Sequence, residues 1–125
     1  MVLGLGTDLI EIDRIEQSLA RFGRRFTHKI FTEGEIAYCQ QKKHCAESFA
    51  ARFAAKEAAA KALGTGIARG IGWREIEVRR SPGERPTLHL TGRAADRAKA
   101  MGVRHLQLSL THSRDVAMAV VIAEN

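Results

Sequence analysis

With 125 residues the chain is long enough for one domain with a real core and too short for two, so residues 1–125 are read as a single domain. A hydrophobic content of 45% excludes a disordered chain. Lys and Arg number 20 against 14 Asp and Glu, a net charge of +6, which favours a polyanionic partner: nucleic acid, a phosphorylated cofactor or an acidic protein.

Residues 2–10 read as a strand, with Leu3, Leu5, Thr7 and Leu9 on one face and Gly4, Gly6, Asp8 and Ile10 on the other. Asp8 thus shares its face with two glycines, which leaves open space beside a carboxylate and marks close approach of a backbone or a ligand. The plainer alternative has Asp8 capping the next helix. MVLGLGTDLI has no basic start and Asp8 breaks its only apolar run, so no signal peptide or membrane span is expected and the protein is read as cytoplasmic.

From Ile12 to about Phe22 the spacing of Ile12, Ile15 and Leu19 is helical, and Arg14 and Arg21 align on one side. Arg24 and Arg25 extend this basic character past Gly23. Such arginines are by default a solvated face, but their forks also suit carboxylates and phosphates, making this a candidate docking surface. Thr32 with Glu35 fits a capping box opening a helix to about Gln41. Cys39 and Cys45 flank His44 in no standard zinc spacing, and are read as reduced thiols.

The stretch FAAKEAAAKALGTGI, residues 53–67, falls in a helix from about Ala46 to Leu63 that Gly64 ends. At about 100° per residue, Phe49, Phe53, Ala60 and Leu63 form one stripe, and Lys56 lies within it. Glu57 is on the flank, with Lys61 one turn further on that side. A lysine inside an apolar stripe needs an anion to meet it, unless its stem packs and its amine snorkels out. Glu57 and Lys61 alone read as an ordinary i,i+4 surface pair.

Gly64, Gly66, Gly70 and Gly72 make the next segment a loop. Residues 73–79 alternate as a half-buried strand, SPGERP is a turn, and Thr87 to Leu90 is a short strand. A helix follows over Gly92 to Met101, then two strands joined at His112 to Arg114. The order β-α-α-α-β-β-α-β-β predicts an α+β domain with a largely antiparallel sheet packed with the long central helix.

The Gly64-Thr65-Gly66 loop has the wrong polarity for a phosphate loop, since its glycines follow a helix rather than open one. By itself Gly64 is a C-cap, and His112 a surface histidine in a turn. No GxSxG elbow, HExxH or zinc-type cysteine cluster is present.

Three blocks in this order, GTDLIEI with Asp8, FAAKEAAAKALGTGI with Glu57 and Lys61, and SLTHSRDVAMAVVI, resemble the small, bacterial-type 4′-phosphopantetheinyl transferases, the holo-acyl-carrier-protein synthase family. With the GERP turn the resemblance covers essentially the whole chain. Arg85 stands where the family usually has Lys, which keeps the charge.

The resemblance implies transfer of phosphopantetheine from coenzyme A to a serine hydroxyl of apo-acyl carrier protein, in fatty acid biosynthesis, with release of adenosine 3′,5′-bisphosphate. Asp8 and Glu57 would hold Mg²⁺, which prefers one or two carboxylates plus waters and phosphate oxygens. Lys61 and Lys56 would neutralise the phosphates, and Glu57 or a metal-bound water would take the serine proton. Gly64, Thr65, Gly66, Pro86, Thr111 and His112 would line the adenosine and 3′-phosphate region, with Arg52 a further phosphate ligand. Arg14, Arg21 and Arg24, with Arg25 beside them, would receive the acidic helix of the carrier protein. The family's small members are homotrimers, so Asp8 and Glu57 would come from one subunit and the His112 turn from its neighbour. A nucleic-acid-binding protein is the first alternative; it explains the arginines but not Asp8 or Glu57, and it lacks stacking aromatics. An inactive relative that only binds coenzyme A or a carrier protein is the second, and retention of Asp8, Glu57 and Lys61 together argues against it.

Overall fold

A computed structural model describes residues 1–67 and 69–125; Ala68, inside the glycine-rich segment read as a loop, lies outside them. The chain forms β1 (Val2–Glu11), α1 (Ile12–Phe22), α2 (Arg24–Ile30), α3 (Glu33–Gln40), α4 (Cys45–Ala62), β2 (Ile76–Arg79), β3 (Thr87–Leu90), α5 (Gly92–Met101), β4 (His105–His112) and β5 (Val116–Glu124). The α+β reading holds. One antiparallel sheet has the order β1-β5-β4, and β2 and β3 pair as a separate antiparallel hairpin.

The long helix α4 lies across the inner face of the three-stranded sheet, packed on β1 and β5. Small residues make that contact close. Ala50, Ala54, Ala55, Ala58 and Ala59 of α4 are fully buried, as are Ala117, Ala119, Val121 and Ala123 of β5. On β1 the partners are glycines: a Cβ on Gly4 would overlap the Ala62 carbonyl oxygen, and one on Gly6 that of Ala58. The space beside Asp8 is therefore filled by the helix backbone, not left open as the sequence reading expected. Glycine here permits close approach of a backbone, not of a ligand.

The helix stops as its sequence implies. Gly64 adopts φ 73°, donates to the Lys61 carbonyl at 3.0 Å, and lets Thr65 donate to Ala60 at 3.1 Å, the paired bonds of a Schellman cap. The Thr32–Glu35 capping box of α3 also forms as expected.

Two elements depart from the reading. The arginine-rich stretch after Gly23 is a helix of its own, α2, which opens on Gly23 (φ 53°) without a side-chain cap. Its signal was the i,i+4 pair Phe26 and Ile30, which anchors it in the core beside Phe31. The strand placed at residues 73–79 begins only at Ile76, because Trp73–Glu75 turn as a 3₁₀ helix. The Glu75 carboxylate bends the chain there, accepting the Gly72 N–H at 2.6 Å and the Arg93 N–H at 2.8 Å. It thereby caps the N-terminus of α5, whose own Thr91 makes no side-chain cap.

Candidate active site at the β1 edge

Strand β1 is an edge of the sheet, and its pleat turns Asp8 inward toward α4. Asp8 does not cap α1, whose N-cap is Glu11 and carries no side-chain cap. Its carboxylate instead meets the Lys61 amine at 3.3 Å, and that amine also donates to the Thr7 carbonyl at 2.9 Å. Lys61 thus crosses from helix to strand rather than pairing with Glu57 along its own helix. Glu57, one turn earlier on that flank, is half-buried. Burial raises its pKa, the neighbouring Asp8 charge raises it further, and Lys61 opposes both. Asp8, Glu57 and Lys61 form one cluster, held together by the glycine–alanine seam between β1 and α4.

Lys56 is elsewhere. It is 0% exposed, and the anion that meets it is Glu35 of α3, also fully buried, at 2.7 Å. Its other two donors go to the main-chain carbonyls of Trp73, at 3.1 Å, and Ile76. All three ammonium protons are spent inside the protein. Burial pulls the Lys56 pKa down while Glu35 acts to hold it up. The apolar stripe placed Lys56 rightly, but Glu35 was read only as half of a capping box, and nothing in its spacing tied it to Lys56. Within this chain Lys56 is not at the carboxylate cluster where phosphate was expected.

Arg52 is also buried, 4% exposed. It donates to the Ser48 carbonyl at 3.3 Å and its guanidinium lies 4.0 Å over the Tyr38 ring, with Nε left without a partner among the described residues. At about 100° per residue it faces away from Glu57. His112 ends β4, the opposite edge of the sheet from Asp8, and pairs with Glu47 at the start of α4 at 3.2 Å. Thr111 points to the outer face, opposite Met118. Pro86 precedes β3, and its neighbour Arg85 lies in a hollow over Gln107, Ser109, Val120 and Ile122 of the outer face. Gly64, Thr65 and Gly66 follow α4 directly, Thr65 bonding to the Arg69 carbonyl at 3.2 Å. One chain therefore gathers the carboxylates and Lys61 at the β1 edge but does not bring His112, Thr111, Arg52 or Pro86 to them.

Asp8 beside Glu57, whose pKa is raised by burial and by the Asp8 charge, suits a divalent cation, which would relieve that repulsion. Among the described residues no cluster of three or more His, Cys, Asp or Glu side chains is poised for a metal. That leaves the pair, the number Mg²⁺ takes when waters and phosphate oxygens complete its shell. Cys39 and Cys45 are free thiols, and burial pushes the Cys39 pKa up to about 12.

Beside this cluster α1 and α2 carry the basic surface. Arg14, Arg21, Arg24 and Arg25 are exposed, and Arg21 lies 5.2 Å over the Phe22 ring. A groove of about 470 Å³ is lined by Phe22, Arg25, Phe26, Lys29, Ile30 and Trp73. Trp73 in turn stacks on Phe53 at 5.0 Å, one helical turn before Glu57. The sequence reading saw the arginines and missed the aromatic floor, because α2 was not recognised as a helix.

Residues 4–121 match the model of the 4′-phosphopantetheinyl transferase superfamily. A holo-[acyl-carrier-protein] synthase of Koribacter versatilis is 51% identical over 125 residues, covering 100% of both chains. One of Methylorubrum extorquens is 52% identical over 128 residues, covering 99% of this chain and 94% of its own. The crystal structure of the Neisseria meningitidis holo-[acyl-carrier-protein] synthase superposes with a TM-score of 0.91 at 32% identity over 100% of both chains. That of Helicobacter pylori, in complex with coenzyme A, gives 0.84 at 31% identity, covering 96% of this chain and 99% of its own. The chain belongs to the 4′-phosphopantetheinyl transferase superfamily and, within it, to the holo-[acyl-carrier-protein] synthases, and it is an enzyme.

Proposed function

We propose that the protein transfers 4′-phosphopantetheine from coenzyme A to a serine hydroxyl of apo-acyl carrier protein, releasing adenosine 3′,5′-bisphosphate, with Mg²⁺ held by Asp8 and Glu57. The observation that carries this reading is the Asp8–Lys61–Glu57 cluster at the β1 edge. The serine oxygen forms a bond to the phosphorus bearing pantetheine as the diphosphate bridge to the nucleotide breaks, and the bridging electrons leave on adenosine 3′,5′-bisphosphate. A divalent cation supplies charge neutralisation for the diphosphate. Lys61 adds a second positive group at the same place. Glu57, whose pKa is raised, receives the serine proton directly or through water.

The working unit is a homotrimer with the site between subunits. Two observations support this. The outer face of the sheet is greasy and open, with Leu5 61%, Leu9 62% and Met118 37% exposed. Asp8 and His112 also lie on opposite edge strands, so the neighbour's β4 edge would bring Thr111 and His112 to this chain's carboxylates. The carrier protein's acidic helix docks on Arg14, Arg21 and Arg24, its apolar residues entering the groove floored by Phe22, Phe26 and Trp73. No helix of the described residues is long and apolar enough to cross a membrane, and we place the reaction in the cytoplasm, in fatty acid biosynthesis.

Intact-mass spectrometry of an apo-acyl carrier protein incubated with the protein, coenzyme A and Mg²⁺ tests the reading. A gain of one phosphopantetheine group, abolished by a chelator, is expected. No gain with a folded protein that binds coenzyme A would overturn it.

A further inference from the structure

The buried Lys56–Glu35 pair lies outside the proposed chemistry, yet it holds the turn that carries Trp73, one wall of the docking groove. The Glu35 carboxylate accepts the Thr32 N–H at 2.9 Å, Lys56 at 2.7 Å and the Val78 N–H at 2.8 Å. Lys56 spends its remaining donors on the carbonyls of Trp73 and Ile76, the two ends of the 3₁₀ turn and its exit into β2. The start of α3, the middle of α4 and the turn carrying Trp73 are thus bolted at one point. Trp73 is the groove wall, and its ring rests on Phe53, one turn from Glu57. Apolar packing alone would let the turn slide along α4, since dispersion has little directionality, whereas charged hydrogen bonds to two carbonyls fix its register.

We infer that Lys56 and Glu35 are positioning residues that set the register between the aromatic groove and Glu57, so that a docked carrier protein presents its serine at the carboxylates. This rests on the docking reading given above. Lys56 touches neither substrate; it acts through Trp73.

Trp73 is the single tryptophan of the chain, so its fluorescence reports the groove wall directly. The variants are Lys56→Met and, should that fail to fold, Lys56→Gln, which keeps a donor for the carbonyls. Circular dichroism checks the fold of each. Expected are a red-shifted Trp73 emission more readily quenched by acrylamide, a KM for carrier protein raised roughly tenfold, and an unchanged calorimetric Kd for coenzyme A. Unchanged Trp73 fluorescence in a folded variant, or equal losses toward both substrates, would overturn the inference. Phe26→Ala separates it from the docking reading. If Phe26→Ala raises the carrier-protein KM and Lys56→Met does not, the positioning role falls and docking stands. If neither raises it, the groove is not the carrier site and both fall.

Discussion

Lys61 and Asp8 meet at 3.3 Å from positions 53 residues apart, and the same amine holds the Thr7 carbonyl of the strand. This contact converts a helix flank and a strand edge into a single charged cluster, in which Asp8 and Glu57 share the Lys61 charge. Removing either carboxylate should therefore damage chemistry and spare the fold. Asp8→Asn and Glu57→Gln are each expected to cut transfer ~100-fold or more. Their melting temperatures should stay within a few degrees of the parent, because the Lys61 pair is half-exposed and worth little. Activity by mass spectrometry against melting by circular dichroism is the check. A Glu57→Gln protein with full Mg²⁺-dependent activity would remove Glu57 from the site.

The seam between β1 and α4 has no room for a methyl group. Gly6→Ala would drive a Cβ into the Ala58 carbonyl, and the helix must shift or the strand must bend. A loss of about 1–3 kcal/mol in urea unfolding is expected. Activity should fall beyond the loss of folded protein, because the shift separates Asp8 from Glu57.

Self-association is testable on the outer sheet face. Leu9→Glu should yield monomers in sedimentation and lose transfer, while its inner face and circular dichroism remain intact. Mixing inactive Asp8→Asn subunits with inactive His112→Ala subunits should restore part of the activity, since some interfaces in mixed assemblies pair an intact β1 edge with an intact β4 edge. No recovery on mixing would place all the catalytic groups within one chain.

Arg14→Glu should raise the KM for carrier protein by ~10-fold and leave coenzyme A affinity unchanged. The effect should shrink as salt is added, because these side chains are exposed and screened. Equal effects on the two substrates would move the docking surface elsewhere.

Glu75 gives a pH signature. Backbone N–H groups of Gly72 and Arg93 hold its pKa below the usual glutamate value. A depressed carboxylate pKa stabilises the fold above the unfolded-state value, and that stabilisation is lost as pH falls through the folded-state value. Glu75→Gln should accordingly cost about 1–2 kcal/mol at neutral pH and progressively less in acid. Parallel unfolding curves at pH 7 and pH 3 would test this; a constant difference between parent and variant would contradict it.

Much of the scaffold was legible because local signals agreed with the fold. Gly64 as a cap, Thr32 with Glu35 as a capping box, and the alternation through β1 all act over a few residues. Asp8, Glu57 and Lys61 were legible as a candidate site only because their motifs resemble a family's; the contact between Asp8 and Lys61 joins distant segments and leaves no periodicity. Lys56 shows the limit from the other side. Its place in an apolar stripe correctly demanded an anion, but whether that anion was a ligand phosphate or Glu35 depends on how α3 folds onto α4. Gly4 and Gly6 carried a similar ambiguity, since a missing side chain marks close approach without saying what approaches.

Among the described residues strand β1 has one strand neighbour, β5, formed by residues 116–124. Asp8 sits opposite Ala119, so the carboxylate nearest the start of the chain finds its fixed setting only when a segment near the other end arrives. Such distant closure is slow compared with helix formation. The arginine-bearing helices can take shape while the carboxylate cluster is still unassembled, and the β1 edge should be among the last regions to gain protection from hydrogen exchange during refolding.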